Sequence, residues 1–423
     1  MNATLPRVLL GATGRPLSLA EHESTFATPV RPSGLFDELE ASGLTGRGGG
    51  AFPTSRKVAL IRNQRGHGKV VVVNAMEGEP EAHKDRTLLS TNPHLVLDGA
   101  EYLAALIGAK TVAVCVPRDN PTVVHYLKRA IFERTLRTHK GPTFELHDAP
   151  WRYVAGEESA LVHWLNDNES LPQYRASRTH VLRVGRGPAL VDNAETCAHV
   201  ALIGRFGAAW FRELGTATSP GSALVSLTGA VDRPKVLEVS LGTTLAAILD
   251  AGNADAQPQA LLTGGYGGTW LAGNHLNVPY ANETLAPVGA MVGTGVLVVL
   301  PRSGCGLLET KRVVDWMANE SARQCGPCAF GLPALAEDLT HLLHARPDGP
   351  TVLARLIERC GVIEGRGACR HPDGVVRMVR SALSVFAVDI ERHAQGSMCE
   401  GAKAREHWVT VPSIVHEDEL VWQ

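Results

Sequence analysis

Lys69-Val70-Val71-Val72-Val73-Asn74-Ala75-Met76-Glu77-Gly78-Glu79-Pro80-Glu81 joins a β-branched run to a polar, acidic turn. Four successive valines leave no polar face, the pattern of a strand covered on both sides in a parallel sheet. Downstream, residues 69–147 alternate strand-like and helix-like runs: a helix near His94–Ile107, the strand Thr111–Val116, a helix near Pro121–Arg134, then Thr143–Leu146. That alternation predicts βαβ units and a Rossmann-like α/β domain. The acidic turn then falls at the carboxyl end of a parallel strand, where open α/β sheets bind ligands. Its carboxylates either hydrogen-bond sugar hydroxyls or a flavin ring, or form a solvated turn.

Upstream, Gly46-Arg47-Gly48-Gly49-Gly50-Ala51-Phe52-Pro53 satisfies G-x-G-x-x-A formally. A dinucleotide fingerprint must follow a strand and open a helix. Here Leu35–Glu40 has a helical look and Pro53 follows at once, so a standard Rossmann turn is not expected. Successive glycines still let backbone N–H groups close on phosphate oxygens, with Arg47 or Lys57 adding positive charge. A plain flexible loop is the other reading.

The chain has 423 residues, more than one core usually supports, which favours about two or three domains. A formal net charge of -2 with 20% charged residues gives no reason to expect nucleic-acid or membrane-surface binding. The longest apolar stretch, between Pro287 and Pro301, is too short to span a bilayer and is broken by glycines, as a buried strand pair would be. The start, MNATLPRVLLGATG, has no clear cleavage site, and a cytoplasmic location is expected.

Further along, Tyr153-Val154-Ala155-Gly156-Glu157-Glu158-Ser159-Ala160-Leu161 sets an aromatic, a glycine and two carboxylates ahead of an amphipathic helix. Glu157 and Glu158 are either ligand groups or first-turn residues favoured by the helix dipole. Around Pro220-Gly221 the pattern changes to short strands, Ala223–Leu227 and Lys235–Val239, with a helix near Thr243–Asp250, which fits a small β-grasp-like module. From Leu307 the chain turns helical, with Val375, Val379, Leu383, Phe386 and Ile390 on one stripe.

Eight cysteines are too sparse for a disulfide scaffold. Cys115, inside an apolar strand, reads as an inert buried thiol. Cys325-Gly326-Pro327-Cys328 matches a thioredoxin dithiol, but the preceding Glu309–Ser321 segment is helical rather than a strand. A metal site with Cys369 fits better: three thiolates suit an iron–sulfur cluster, and zinc completed by His371 is the other metal reading.

Taken in order, SGLTGRGGGAFPTSRK, NAMEGEPEAHKDR, YVAGEESAL, VDNAET and ESARQCGPCAFG resemble the NADH-binding flavoprotein subunit of respiratory complex I, a family also found in soluble bacterial hydrogenases and formate dehydrogenases. The likeness spans roughly residues 35–395. It implies an FMN/NADH-binding domain at 35–218, a ubiquitin-like SLBB β-grasp domain at 219–306 and an iron–sulfur helical bundle at 307–395, between an extension at 1–34 and a tail at 396–423. By the same likeness Gly46, Arg47, Gly48, Lys57, Asn74, Glu77, Tyr153, Gly156, Glu157, Asn193 and Thr196 would surround FMN. Phe52 would stack on the nicotinamide nucleotide, with Glu79 and Glu158 near its ribose and adenosine portion, and carboxylates there disfavour the 2′-phosphate of NADPH. Cys325, Cys328 and Cys369 would ligate a [4Fe–4S] cluster that passes electrons to a ferredoxin or another redox subunit.

The chain also departs from the family pattern. Ala322 stands where a first cluster cysteine is expected, which leaves a [4Fe–4S] cluster with a non-cysteine ligand, a [3Fe–4S] cluster or none, with Cys305, Cys360 and Cys399 unranked as substitutes. Met76 replaces an aspartate beside the flavin, Glu81, Ala82 and His83 replace small residues, Asp192 replaces an asparagine, and Leu60 an aromatic. Two functions therefore stay open: an FMN-dependent NADH dehydrogenase subunit, or a flavoprotein relay that has lost nucleotide binding.

Overall fold

The computed structural model describes residues 5–27, 34–137, 141–174, 180–404, 406–413 and 422. Parts of the expected amino-terminal extension and carboxyl-terminal tail lie outside them. The valine run is a central strand. β1 (Val70–Asn74), β2 (Thr111–Pro117), β3 (Thr143–Ala149), β4 (Arg183–Val184) and β5 (Gly187–Asn193) form one sheet in the order β3-β2-β1-β5-β4. Every pair is parallel except β4 with β5.

Side chains alternate across these strands as the period of two requires. Val71, Val73, Val112 and Val114 face the core shared with helices Pro93–Ile107 and Ala194–Phe211. Val70, Val72, Ala113 and Cys115 face Leu161 and Val162 of helix Glu158–Asp167. Burial pushes the Cys115 thiol well up, the state of an inert packing residue. Strand order reverses between β1 and β5, so the crevice at their carboxyl ends is the switch point of the sheet.

The segment before residue 35 packs into this first core through Val8, Leu17 and Phe26. It is tied down by charge as well: His22 Nε2 lies 2.7 Å from Asp98 Oδ2, and Arg134 and Arg205 both pair with the same carboxylate. One buried acid thus links four separate helices.

The second sheet contains β6 (Ser222–Gly229), β7 (Lys235–Ser240), β8 (Ala260–Thr263), β9 (Thr269–Ala272) and β10 (Val296–Leu300), in the order β7-β6-β10-β8-β9. Only β6 and β10 run parallel. Helix Leu245–Ala251 covers one face and completes a β-grasp arrangement. The apolar stretch before Pro301 gives one strand, β10, and not the expected pair. Gly289, Gly293 and Gly295 ahead of it all adopt positive φ and turn the chain instead.

The other face of this sheet packs on the helical bundle, where Trp270 donates its indole N–H to Thr310 Oγ1 at 2.9 Å. The bundle contains helices Gly306–Asn319, Leu332–Leu343, Gly349–Ile363, His371–Val385 and Ala387–Ala394. The apolar stripe expected along one helix is split at Phe386, whose ring lies 5.2 Å from Trp270 and against Gly306, where a Cβ would come within 2.3 Å of it.

Candidate functional site

The glycine loop connects helix Leu35–Ser42 to helix Thr54–Arg62, so it is not a strand-to-helix turn. It is closed at its neck: Gly46 N–H donates to the Phe52 carbonyl at 2.9 Å and Thr54 N–H to Leu44 at 3.0 Å. Arg47 N–H donates to Thr196 Oγ1 at 2.9 Å, which fastens the loop to the helix after β5. The N–H groups of Gly48, Gly49, Gly50 and Ala51 find no acceptor among the described residues. Such a run of free donors is an anion cradle. Gly48 sits so close to Asn193 that a Cβ would be 3.2 Å from the asparagine's own.

Facing the loop, Asn74 and Asn193 end β1 and β5 in register with each other. Asn193 Nδ2 donates to Asp85 Oδ2 at 2.6 Å, and Asn74 Nδ2 to the Gly156 carbonyl at 2.9 Å. The second bond fixes the Tyr153–Gly156 turn over the crevice. The turn fits because two glycines let backbones meet: a Cβ on Gly78 would lie 2.6 Å from the Arg152 carbonyl oxygen, and one on Gly156 2.9 Å from that of Met76. Lys57 reaches in from the third side, 2.8 Å from Glu158 Oε1, 2.8 Å from the Val191 carbonyl and 3.6 Å from Asp192 Oδ1. Burial works against its charge, but Asp192 and Glu158 outweigh that and raise its pKa. Asp192 Oδ2 is buried without a partner, and burial pushes that carboxyl up to about 6.

Several expected site residues use their side chains elsewhere. The Arg47 guanidinium is buried and donates to the carbonyls of Pro220 and Ser222 at 3.3 and 3.1 Å, a bond between the loop and the second sheet. Glu77 accepts from the N–H groups of Asp85 and Arg86 at 2.7 and 3.0 Å, capping helix Lys84–Thr91. Glu157 caps helix Glu158–Asp167 through the N–H groups of Ser159 and Ala160. Glu79 turns to the second sheet, where it accepts from Tyr266 N–H at 3.0 Å. Glu81 is buried under Thr410, whose N–H reaches it at 2.5 Å. Phe52 is half-buried at the loop tip, and Leu60 lies on the following helix.

Two residues inside the quoted motifs matter more than their sequence suggested. Lys84 Nζ lies 2.8 Å from Asp85, 3.0 Å from Glu195 Oε2 and 3.1 Å from Asn193 Oδ1. Glu195 also accepts from Leu224 N–H at 2.8 Å, which joins β6 to the crevice. Burial opposes the Glu195 charge, but Lys84, His199 and Arg47 hold its pKa down at about 2. The signal was the juxtaposition of a lysine and a glutamate in two motifs that already shared the crevice.

Tyr153 points away from the crevice into the bundle, with its ring 5.7 Å from Trp316 and 5.4 Å from His371. This side leads to the cysteines. Cys325-Gly326-Pro327-Cys328 opens the turn into helix Leu332–Leu343, with no strand before it, so the thioredoxin context is absent. Cys328 is buried, and its thiol is pushed up by burial and then by the neighbouring Cys325 and Cys369. Glu157 and Cys325 add to burial in raising Cys369.

Two sequence comparisons bear on this geometry. Residues 39–202 match the family described as the Nuo51 FMN-binding domain, and 309–393 that described as the NADH-ubiquinone oxidoreductase-F iron-sulfur binding region. The NADH-quinone oxidoreductase F-subunit of Streptomyces coelicolor is 30% identical over 385 residues, covering 88% of this chain and 86% of that one. The chain belongs to the NADH-quinone oxidoreductase-F family.

Other members agree. The NADH-quinone oxidoreductase F-subunit 2 of Rhizobium meliloti is 28% identical over 382 residues, covering 87% and 90% of the two chains. The NADP-reducing hydrogenase subunit HndC of Solidesulfovibrio fructosivorans is 29% identical, covering 88% and 78%. A crystal structure of NAD+-reducing [NiFe]-hydrogenase in its H2-reduced state superposes with a TM-score of 0.79 at 26% identity, over 86% of this chain and 62% of that one. The chain thus spans under two thirds of that hydrogenase chain.

For an oxidoreductase-F protein the two regions fit their cofactors. The glycine cradle, the paired asparagines and the half-buried Lys57 suit a phosphate-bearing flavin, and the three grouped thiols suit iron and sulfide. A tetrahedral zinc ion would draw its ligand atoms much closer together. Among the described residues, ligand atoms converge within 4.8 Å only at Cys305, His393 and Cys399, so the zinc set with His371 is not assembled here. His371 Nε2 is instead 2.8 Å from the Met317 carbonyl. Cys305 and Cys399 also drop out as substitutes for Ala322. They sit at the start of helix Gly306–Asn319, whereas Ser321 and Cys328 lie beyond its other end, about 20 Å away. Among the described residues no helix is long and apolar enough to cross a membrane.

Proposed function

We propose that this chain works as the FMN-dependent NADH dehydrogenase subunit of a larger redox assembly, sending electrons through its iron–sulfur region to a separate carrier such as a ferredoxin. The observation that carries the reading is the crevice at the β1–β5 switch point, with its free glycine N–H groups on one side and the Tyr153 turn leading to the cysteines on the other. FMN, when bound, supplies hydride acceptance and one-electron release.

The protein's part is placement. Gly48, Gly49 and Gly50 offer N–H groups to phosphate oxygens, and Gly46 holds the loop neck closed. Asn74 and Asn193 set the crevice floor, and Lys57 provides the positive charge beside it. Thr196 and Arg47 hold the loop in place rather than touch the ring, and Glu77 and Glu157 do the same for their helices. Gly156 keeps the turn close enough for Tyr153 to bridge toward Trp316. Phe52 is the available ring for a nicotinamide nucleotide, with Glu158 nearby through Lys57. Cys325, Cys328 and Cys369 hold the cluster, and Ala322 favours a three-iron form or a non-cysteine fourth ligand. Burial pushes Glu79 up to about 8, so it carries little charge at neutral pH and discriminates weakly against a 2′-phosphate.

The turning inward of Glu79 and Glu81 favours one second reading, a relay flavoprotein without nucleotide binding. Saturable turnover of NADH with an artificial acceptor, measured on the FMN-loaded chain, excludes the relay. Full FMN occupancy with no spectral response to NADH or NADPH excludes the dehydrogenase.

A further inference from the structure

We propose that Cys305, His393 and Cys399 form a second metal centre, separate from the iron–sulfur region, that holds a zinc-class divalent ion and pins the carboxyl-terminal segment to the bundle. One ligand atom from each residue lies within 4.8 Å of the other two, and all three residues are buried. Nothing in the flavin or cluster chemistry uses them.

The surroundings are those of ligands and not of chance neighbours. His393 Nδ1 is 3.1 Å from the Leu343 carbonyl, which can only accept, so Nδ1 carries the proton and Nε2 presents its lone pair. Donation of the remote ring N–H to a backbone carbonyl is the usual outer support of a metal-bound histidine. Cys399 N–H donates to Nε2 at 3.2 Å, which places the ring's lone-pair edge beside the thiols, and a bound ion would take over that lone pair from the N–H. Each sulfur accepts a backbone N–H: Cys305 from Leu308 at 3.3 Å, and Cys399 from Ala402 at 3.4 Å. Such bonds favour the thiolate form that a metal needs. Cys305 also caps helix Gly306–Asn319, so the positive end of a 14-residue helix faces the site.

Two thiolates and an imidazole are a borderline-soft donor set, which selects zinc over magnesium or calcium and leaves a fourth position for a small exogenous donor. Binding releases both thiol protons to solvent, and the two thiolates balance the dication. The two backbones are already pressed together: a Cβ on Gly401 would lie 2.5 Å from the Gly304 carbonyl carbon. Beyond the centre the same segment covers two buried acids. Trp408 and Val409 donate to Glu309 at 3.0 and 3.3 Å, and Thr410 to Glu81. The ion would therefore hold the start of the strap that covers Glu309 and Glu81.

The test is elemental analysis of the anaerobically purified full chain, counting zinc and iron separately, on the native protein and on Cys305→Ser, Cys399→Ser and His393→Gln variants. The expected result is about one zinc per chain in the native protein, at least a tenfold loss in each variant, and unchanged iron. The native protein also gives a readout that no folding defect can blur: X-ray absorption at the zinc edge should show two sulfurs at about 2.3 Å and a nitrogen at about 2.0 Å. A native protein without zinc after zinc-supplemented growth overturns the proposal. So does zinc that survives in all three variants, or peptide mapping of the native protein that finds a Cys305–Cys399 disulfide.

Discussion

Lys57 Nζ lies 3.6 Å from Asp192 Oδ1, while the other carboxylate oxygen of Asp192 is buried with no partner at all. The chain thus carries a buried acid at the crevice. Its raised pKa of about 6 means that the stability it contributes is fully present below the unfolded value and is lost as pH rises through about 6. Asp192→Asn should remove that loss and gain about 1–3 kcal/mol at pH 7, because Lys57 keeps Glu158 and the Val191 carbonyl. Urea unfolding at pH 4.5 and pH 7 checks this: the gap between the two proteins should be clearly wider at pH 7 than at pH 4.5.

The interlocked turns give a second expectation. Gly78→Ala and Gly156→Ala each place a methyl within 3 Å of a carbonyl oxygen that cannot move without opening the crevice. Overpacking of this kind costs about 1–3 kcal/mol. Both variants should fold, by circular dichroism, yet retain less than a tenth of the native FMN after gel filtration. Full retention by both would remove the turn from the flavin site.

Asp98 governs the acid stability of the first domain. Burial opposes its charge, but Arg134, His22 and Arg205 outweigh it and hold its pKa far below the usual carboxylate range. The stability it supplies is present above the unfolded value, about pH 4, and is lost as pH falls further. Asp98→Ala takes the shared carboxylate from two arginines, leaving Arg134 only Glu101 at 3.6 Å as a counter-charge, and should cost about 3–5 kcal/mol at pH 7. Thermal unfolding of the variant should also be flatter below pH 4 than that of the native chain.

Ala322→Cys restores the fourth expected thiolate. Iron per chain should rise from about three to about four, and the oxidised protein should lose the electron paramagnetic resonance signal of a three-iron cluster. An unchanged count would place the fourth ligand on another residue.

Sequence alone was a good guide where one physical rule dominated. Four successive valines read as a strand covered on both sides, and they form one. It was a poor guide to short strands fixed by their neighbours: β8 and β9 have four residues each, and β5 starts at a Gly-Pro pair that reads as a turn. Side-chain direction was illegible as well. Nothing in GRGGGAFP says that Arg47 turns to Pro220 and Ser222, or in GEPE that Glu79 turns to Tyr266. Cys305 and Cys399 are unranked in the sequence, because only the bundle's packing brings them together with His393. The order of the tail comes from backbone bonds to distant acids, which no local pattern encodes.

The most direct test is an anaerobic titration of the FMN-loaded chain with NADH, following the flavin absorbance band. It should bleach stoichiometrically with NADH, and the reduced cluster signal should appear in frozen samples of the same titration. An intact, fully FMN-loaded protein whose flavin band is unmoved by excess NADH and by excess NADPH would contradict the dehydrogenase assignment.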